Sequence, residues 1–253
     1  TSLRGSLLQT LSSSLRSTQG EGLRLFEIGS VYLRRGDSNN IQLPEEREMV
    51  VGILSGPRNT ISWISRQENM HFFDAKGILD LVFERTGATI EYHPSQNPIM
   101  HPGRAADLVV NNQTVGIIGE IHPTTLEYFN LTENPACLFE FNLKALYKST
   151  SRDSDHGPSV GRFPDSSRDL ALLVDAGVTS AKIQSIIQRN SLVVDSTPFD
   201  IYTGQGIRDG KKSITYRIVF RSPISTLTSE QVDQAQKSIL GQIQRELGAQ
   251  LRQ

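Results

Sequence analysis

The hydrophobic and polar pattern is clearest over the last ninety or so residues, from Phe163 to Leu251. It predicts a strand, a helix, two strands joined by a glycine-rich hairpin, a second helix and a final short strand. This order is the split β-α-β plan of a ferredoxin-like domain. Because the helices of that plan cover only one face of the sheet, we expect the other face to be open to a partner.

The strand at residues 213–221 predicts the character of both faces, because side chains alternate along a strand. The apolar face comprises Ile214, Tyr216, Ile218 and Phe220. The other face carries Ser213, Thr215, Arg217, Val219 and Arg221. The preceding turn, residues 204–212, has the glycines that a hairpin needs and three more cations. We therefore predict a basic open face, which favours RNA as its partner.

Helix signals support the same plan. Thr179 is placed to cap the first helix, and Thr228 with Gln231 has the spacing of a capping box at the start of the second. Gly248 stands where a helix would end. Pro198 precedes the hairpin in a predicted strand, and a proline there indicates an edge strand.

Residues 1–148 predict a separate mixed domain. Short connections between its strands indicate an antiparallel sheet with helices on its faces, an α+β arrangement. Residues 149–161 are rich in Ser, Gly and Asp and predict a linker, so the ferredoxin-like domain is assigned to residues 162–253. The first helix carries a stripe that includes Leu3, Leu7, Leu11 and Leu15. This stripe is either core or a helix-packing interface, and the sequence leaves the two alternatives open.

Composition describes an ordinary globular protein. The chain has 253 residues, of which 37% are hydrophobic and 21% charged, and it contains one cysteine, Cys137. A single cysteine excludes an internal disulfide and is typical of a cytoplasmic protein. No apolar run is long enough to span a membrane, and no leader pattern indicates secretion. The chain starts at Thr1 within a predicted helix, so we expect it to be a piece of a longer polypeptide.

The formal net charge of −1 hides an asymmetry between the two domains. From Arg162 onward there are 12 Lys and Arg against 9 Asp and Glu, a net charge of +3, and the remainder has 14 against 18, a net charge of −4. The difference favours the C-terminal domain as the one that meets a polyanion, although a small excess of charge is common on surfaces.

Candidate catalytic and metal sites have structural interpretations that fit better. The five histidines show no metal-ligand spacing, and no serine lies in a nucleophile motif. Gly204-x-Gly206 joins two strands, so it is a hairpin and not a phosphate loop. Arg104 is expected to tie its loop to Glu120 or another acid, with phosphate or carboxylate binding as the alternative. Trp63 is expected to close a domain edge, with an exposed anchor as the alternative. We predict no catalytic and no metal-binding residues.

A set of motifs in a fixed order resembles one known family. They are Leu3-Arg4-Gly5-Ser6-Leu7-Leu8, Leu25-Phe26-Glu27-Ile28-Gly29-Ser30-Val31-Tyr32, His101-Pro102-Gly103-Arg104-Ala105-Ala106, Gly116-Ile117-Ile118-Gly119-Glu120-Ile121-His122-Pro123, Phe163-Pro164-x3-Arg168-Asp169-Leu170, Phe199-Asp200-x-Tyr202-x-Gly204, Lys212-Ser213 and Thr226-Leu227-Thr228. Together they are similar to the C-terminal part of the beta chain of bacterial phenylalanyl-tRNA synthetase. Asp165-Ser166-Ser167 departs from the small apolar residues common there.

The resemblance implies a class II synthetase-like domain without catalytic activity, followed by a ferredoxin-fold anticodon-binding domain. It implies tRNA(Phe) and a catalytic alpha chain as partners, in a complex of two alpha and two beta chains in the cytoplasm, with neither DNA nor a membrane involved. The helix with the leucine stripe would contribute to a subunit interface. ATP and magnesium would serve the whole enzyme, and this part would hold no cofactor.

The residues themselves also indicate that the first domain is not catalytic. Class II activation needs arginines on the triphosphate, yet residues 24–28 lack the Phe-Arg-x-Glu order and no Gly-x-Gly-x-Gly strand precedes the linker. We therefore predict an RNA-docking and scaffolding role in phenylalanyl-tRNA aminoacylation, with phosphate contacts that dominate over base readout. The predicted contacts are Arg168, Lys211, Lys212, Arg217 and Arg221. A self-sufficient amino-acid-activating ligase and a scaffold that binds only protein are the alternatives.

Overall fold

The protein divides into two compact units, Thr1–His156 and Gly157–Gln253. The structure is a computed structural model, and it describes residues 2–18, 21–34, 43–60, 62–64, 67–148 and 163–252. The predicted linker at residues 149–161 lies outside these described residues. None of the helices in the described ranges has the length and apolar character that crossing a membrane would require.

The first unit is built around one antiparallel sheet. Its described elements are α1 (Arg4–Ser17), β1 (Leu23–Leu33), β2 (Glu45–Ser55), α2 (Phe72–Arg85), β3 (Glu91–Pro94), β4 (Met100–Val110), β5 (Gln113–Ile121), α3 (Pro123–Tyr128), β6 (Ala136–Asn142) and α4 (Lys144–Lys148). The six strands lie in the order β1-β2-β6-β5-β4-β3, and every neighbouring pair is antiparallel. This arrangement confirms the predicted α+β class.

Helices cover both faces of this sheet, so its central strands are buried on two sides. On β5, Ile117 belongs to the core under α1 and α3, whereas its neighbour Ile118 belongs to the core under α2. Leu138 and Phe139 divide in the same way on β6. Because successive side chains point to opposite faces, a strand covered on both faces must be apolar at consecutive positions.

The leucine stripe of α1 faces the core of its own unit. Leu7 and Leu11 are 4% and 0% exposed, and Leu3 and Leu15 are partly buried against the same cluster. The structure therefore selects the core alternative for the stripe. The predicted subunit interface cannot form through Leu7 or Leu11, because their side chains are already covered. A partner helix on α1 would meet its polar, serine-rich face.

The second unit has the predicted ferredoxin-like plan. Its described elements are β7 (Ser166–Asp175), α5 (Ser180–Ile187), β8 (Val193–Tyr202), β9 (Lys211–Phe220), α6 (Ser229–Leu247) and β10 (Gln250–Leu251). The strands form an antiparallel sheet in the order β10-β7-β9-β8. Pro198 lies in β8, which is an edge strand as predicted.

The helix signals read from the sequence are confirmed. The hydroxyl of Thr179 accepts a hydrogen bond from the backbone N–H of Lys182. Thr228 and Gln231 form a reciprocal capping box at the start of α6, with distances of 3.3 and 2.9 Å. Gly248 ends α6 in the left-handed conformation, with φ of 63°, which glycine adopts without the steric cost of a Cβ atom.

Both helices of the second unit pack on one face of its sheet. The buried residues of that face are Leu170, Leu172, Val174, Ile214, Tyr216, Ile218 and Phe220. Tyr216 is fully buried, and its hydroxyl lies 2.8 Å from the hydroxyl of Ser180 at the start of α5. The residues at alternate positions point away from the helices, and we call their side of the sheet the open face. It is the face for which RNA was predicted.

Candidate nucleic-acid interface

The pairing of β7 with β9 decides which side chains meet on the open face. Asp169 lies opposite Arg217, whereas Arg168 lies opposite Ile218. Residues that are directly opposite in an antiparallel pair share a face, with Cβ atoms about 5 Å apart. Arg217 and Asp169 are therefore neighbours on the open face, and Arg168 belongs to the side of the helices.

Two arginines of the open face form bidentate ion pairs with aspartates. Nε and Nη2 of Arg217 each donate to one carboxylate oxygen of Asp169 at 2.9 Å. Arg221 pairs with Asp165 at 2.5 and 2.7 Å. The hydrogen bonds from these arginines lower the pKa of each aspartate below its ordinary value. Both carboxylates therefore remain ionised at neutral pH.

The lysines at the hairpin are also engaged. The Lys211 ammonium lies 2.6 Å from the carboxylate of Asp175, again across the β7–β9 pair. The Lys212 ammonium donates to the backbone carbonyl of Ala176 at 2.8 Å. Strand alternation directs Lys212 to the side of the helices, so it is presented by the end of the hairpin and not by the open face.

Arg168 does not lie on the open face, and its predicted position has to be corrected. Its guanidinium pairs with Asp233 of α6 at 3.1 Å, on the side of the sheet that the helices cover. The physical reason is the alternation of side chains along a strand. Arg168 is two residues from Leu170, which points into the core, so both side chains lie on the same face of the sheet. The apolar alternation of β7 was a sequence signal that would have placed this arginine correctly.

The open face is balanced in charge, and the prediction that it is basic also has to be corrected. On its described strands and the residues that flank them, the cations are Lys211, Arg217, Arg221 and Arg252. The acids there are Asp165, Asp169, Asp175, Asp195 and Asp200. The C-terminal excess of Lys and Arg thus does not gather on this face. Net charge alone gives it no attraction for a polyanion.

The open face also presents two exposed aromatic side chains from β8, which the sequence analysis did not single out. Phe199 and Tyr202 are 54% and 37% exposed. The guanidinium carbon of Arg217 lies 5.1 Å from the centroid of the Phe199 ring, and Arg252 lies at the same distance from Tyr202. These distances are within the range of cation–π contacts. Rings held in this way are suited to stack on nucleic-acid bases.

The position of Tyr202 depends on a glycine two residues later. A Cβ atom on Gly204 would lie 2.4 Å from the Tyr202 hydroxyl oxygen and 2.5 Å from the ring carbon that bears it. The hydroxyl donates to the carbonyl of Gln205 at 3.1 Å. The spacing Tyr202-x-Gly204 therefore lets the hairpin fold back against the ring. This close approach gives Gly204 a structural reason independent of any phosphate loop.

Arg208 is a further cation at the tip of the hairpin. Its side chain is exposed and makes no hydrogen bond or ion pair with the described part of the chain. The turn that carries it is closed by a hydrogen bond from Lys211 N–H to the Arg208 carbonyl at 3.0 Å. Arg208 is thus available to a phosphate, whereas Lys211 would first have to leave Asp175.

The other candidate residues have structural roles. Arg104 donates to Glu120 at 2.7 Å, which confirms the predicted tie between its loop and that acid. His71 and His122 each accept a backbone N–H at the start of a helix, α2 and α3 respectively, through Nδ1 at 3.2 Å. Among the described residues, no group of three or more His, Cys, Asp or Glu is arranged to hold a metal ion.

Two further side chains of the first unit lie in opposite environments. Cys137 is buried, and this burial raises the pKa of its thiol well above the ordinary value, so the thiol stays protonated. Trp63 was expected to close a domain edge, but its side chain is 94% exposed. The indole belongs to neither core of its unit, so the expected closure of a domain edge is wrong and the exposed position, the alternative, is the one observed.

Comparison with known proteins assigns both units. Residues 1–143 match the family model described as the phenylalanyl tRNA synthetase beta chain CLM domain. Residues 161–252 match the ferredoxin-fold anticodon binding domain. The second match covers the described elements that form the open face, and the first covers the six-stranded sheet.

Similar proteins carry the same description over the whole chain. The phenylalanine–tRNA ligase beta subunit of Dehalococcoides mccartyi is 35% identical over 252 residues, which are 100% of this chain and 30% of that protein. The beta subunits of Geobacillus kaustophilus and Chromobacterium violaceum are 35% and 36% identical over 99% of this chain. The chain spans about 30% of the length of these relatives. It belongs to the family of phenylalanyl-tRNA synthetase beta chains.

Proposed function

We propose that this chain serves phenylalanyl-tRNA aminoacylation by binding the anticodon stem-loop of tRNA(Phe) on the open face of its second unit. The proposal is supported by the match of residues 161–252 to an anticodon-binding domain and by the ligase beta subunits to which the chain is similar. The enzyme as a whole acts in the cytoplasm, and this chain contributes binding and not chemistry.

The observation that carries the proposal is the pair of exposed rings, Phe199 and Tyr202, each beside an arginine. Single-stranded loops are recognised when unstacked bases stack on aromatic side chains and offer their edges to hydrogen bonds. The neighbouring Asp200 supplies acceptors for such edges, and Arg217 keeps the N–H donors that its pair with Asp169 does not use. The arrangement therefore favours base contacts over the phosphate contacts that the sequence analysis expected to dominate.

Phosphate contacts retain a role in orienting the stem-loop. Lys211 and Lys212 stand at the hairpin end of the sheet, and Arg221 stands at the opposite end of β9. Arg217 lies between them on the open face. Arg168 reaches the RNA only if the stem-loop extends past the edge of the sheet toward α6, because its guanidinium lies beside Asp233.

The first unit acts as a scaffold for a catalytic alpha chain, in an assembly of two alpha and two beta chains. ATP and magnesium serve the whole enzyme, and this chain holds neither. This assignment is supported by the cores on both faces of the six-stranded sheet, which leave its described central strands buried on either side. It is also supported by β1, where Arg24-Leu25-Phe26-Glu27 lacks the order of residues that class II activation requires.

The proposal is tested by the affinity of the chain for the anticodon stem-loop of tRNA(Phe). Base stacking is worth about 1–3 kcal/mol per base, so Phe199→Ala and Tyr202→Ala should each weaken binding by about 5-fold to 160-fold. Tyr128→Ala is the matched control, because Tyr128 is 81% exposed in the first unit and should not affect RNA binding.

Equal affinity of wild type and both open-face variants would contradict the proposal. A scaffold that binds only protein predicts that outcome, together with a tRNA footprint confined to an added alpha chain. A self-sufficient ligase instead predicts pyrophosphate exchange by the purified chain without any other subunit, whereas we expect no exchange under those conditions.

A further inference from the structure

Three aspartates of β7 and its N-terminal flank lie on the open face opposite three cations of β9 and its C-terminal flank. They pair across the two strands as Asp165 with Arg221, Asp169 with Arg217, and Asp175 with Lys211. Side chains at every second position of a strand share one face. The acids of β7 and its flank and the cations of β9 and its flank therefore lie on the same face, the open face. Each open-face cation of β9 and its flanks thus has its own carboxylate.

The two arginine pairs occupy the same donors that a phosphate would take. A carboxylate and a phosphate both bind the arginine fork through two parallel N–H bonds. Arg217 and Arg221 each make both bonds, at 2.9 Å to Asp169 and at 2.5 and 2.7 Å to Asp165. An RNA phosphate must therefore displace an aspartate to bind this edge of either guanidinium, and otherwise has only the remaining N–H donors on the Nη1 side, beside a carboxylate that already neutralises the charge.

The pairs are exposed enough to be exchanged. Their side chains are between 30% and 57% accessible to solvent, so water and salt screen the attraction between them. Core packing already determines the register of β7 on β9, because a shift of β7 by one residue would turn Leu170 and Leu172 out to solvent. Strand pairing therefore does not require these ion pairs.

We propose that Asp165, Asp169 and Asp175 are specificity-determining residues. By forming ion pairs with the open-face cations, they weaken non-specific binding of phosphates. An RNA backbone alone gains little here, because it exchanges one anion for another. An RNA whose bases also stack on Phe199 and Tyr202 gains the additional contacts that make the exchange favourable. The inference rests on the proposed function and adds to it a mechanism for rejecting other RNAs.

The test is the double variant Asp165→Asn/Asp169→Asn of the chain, with two probes of equal length: the anticodon stem-loop of tRNA(Phe) and poly(U). Affinities are measured between 50 and 200 mM salt. Each phosphate contact to a single strand adds about 0.7 to the slope of log affinity against log salt. Two released arginines should thus steepen the slope for poly(U) by about 1.4, a roughly sevenfold greater loss over this range.

The double variant should also bind poly(U) more tightly at 50 mM salt than wild type does, so the preference for the stem-loop falls. The matched control is Asp195→Asn/Asp209→Asn, which removes two negative charges from the same unit, at carboxylates that form no ion pair with a cation among the described residues. If the control raises poly(U) affinity as much as the test variant, the effect is general electrostatics and the proposal is overturned.

Failure of this inference is distinguishable from failure of the proposed function. A wild-type chain that prefers the stem-loop, with a double variant that keeps the same preference and salt slope, overturns the inference alone. A wild-type chain with no preference for the stem-loop overturns both. Circular dichroism of each variant verifies that the β7–β9 pairing is retained, which we expect because Asn is close in size to Asp.

Discussion

At the scale of single residues, the arginines of this chain differ in the burial of the acid that each one meets. Arg4 at the start of α1 reaches Glu140 of β6 at 2.5 Å, and the Glu140 side chain is only 7% exposed. Arg104 makes a pair of similar length with Glu120, but its own side chain is 60% exposed. A buried carboxylate without its partner is costly, whereas an exposed pair contributes little.

Arg4→Ala should therefore lower the free energy of unfolding by about 3 kcal/mol, because it leaves Glu140 buried without a cation. Arg104→Ala is the control and should cost less than about 1 kcal/mol. Urea unfolding measures both. Arg4→Met combined with Glu140→Leu should recover most of the loss. Equal losses for the two single variants would show that the burial of Glu140 is not what makes its pair with Arg4 important.

The sequence anticipated one of these pairs and not the other. Arg104 and Glu120 lie on β4 and β5, which are consecutive strands, so their proximity follows from the hairpin that joins them. Arg4 and Glu140 are 136 positions apart. Only the packing of α1 on the sheet brings them together, and no local sequence pattern predicts where a helix packs.

At the scale of elements, β8 shows how an irregular strand hides its function from sequence analysis. Its pairing with β9 is interrupted twice, between Val193 and Asp195 and between Pro198 and Asp200. Each irregularity shifts the alternation of side chains, so a simple period of two does not predict which residues reach the open face. Phe199 and Tyr202 were therefore not recognised as surface rings of the interface.

The hairpin after β8 provides a test of this element. Gly204→Ala should displace the Tyr202 ring, because the new Cβ would lie 2.4 Å from its hydroxyl oxygen. Loss of the base stacked on Tyr202 would weaken binding of the anticodon stem-loop by up to the factor expected for Tyr202→Ala, because one stacked base is worth about 1–3 kcal/mol. Gly177→Ala is the control, since a Cβ there meets nothing within 4 Å. Wild-type affinity for Gly204→Ala would show that the ring position is not required.

At the scale of the whole molecule, each described core cluster lies within one unit. Two clusters belong to the first unit, one on either face of its sheet, and one cluster belongs to the second. A unit with its own hydrophobic core is able to unfold on its own. Two domains with separate cores were predicted from chain length, and the patterns on either side of residues 149–161 located them.

We therefore expect two unfolding transitions, each sensitive to one core. Leu79→Ala, in the first unit, and Ile239→Ala, in the second, remove fully buried side chains and should each cost about 2–5 kcal/mol. Differential scanning calorimetry should show each variant shifting a different transition. A single transition shifted by both variants would mean that the two cores unfold together.

Sequence patterns correctly predicted the order of the elements in the second unit, the core face of β9, the start of α5 and both ends of α6. These features depend on residues that are close along the chain, such as Thr228 with Gln231 or the alternation through β9, so local periodicity and capping chemistry are sufficient to predict them. The family motifs also lie in continuous stretches, which is why the resemblance was visible before the fold was known.

The tertiary structure alone decided the chemistry of the open face. Arg217 meets Asp169 from 48 positions away, and Arg252 crosses the sheet from the end of β10 to reach Tyr202. Such contacts depend on the lateral order and register of strands that are remote in sequence. A count of charges along the chain therefore predicted a basic surface, whereas strand pairing made that surface balanced in charge, with two exposed rings.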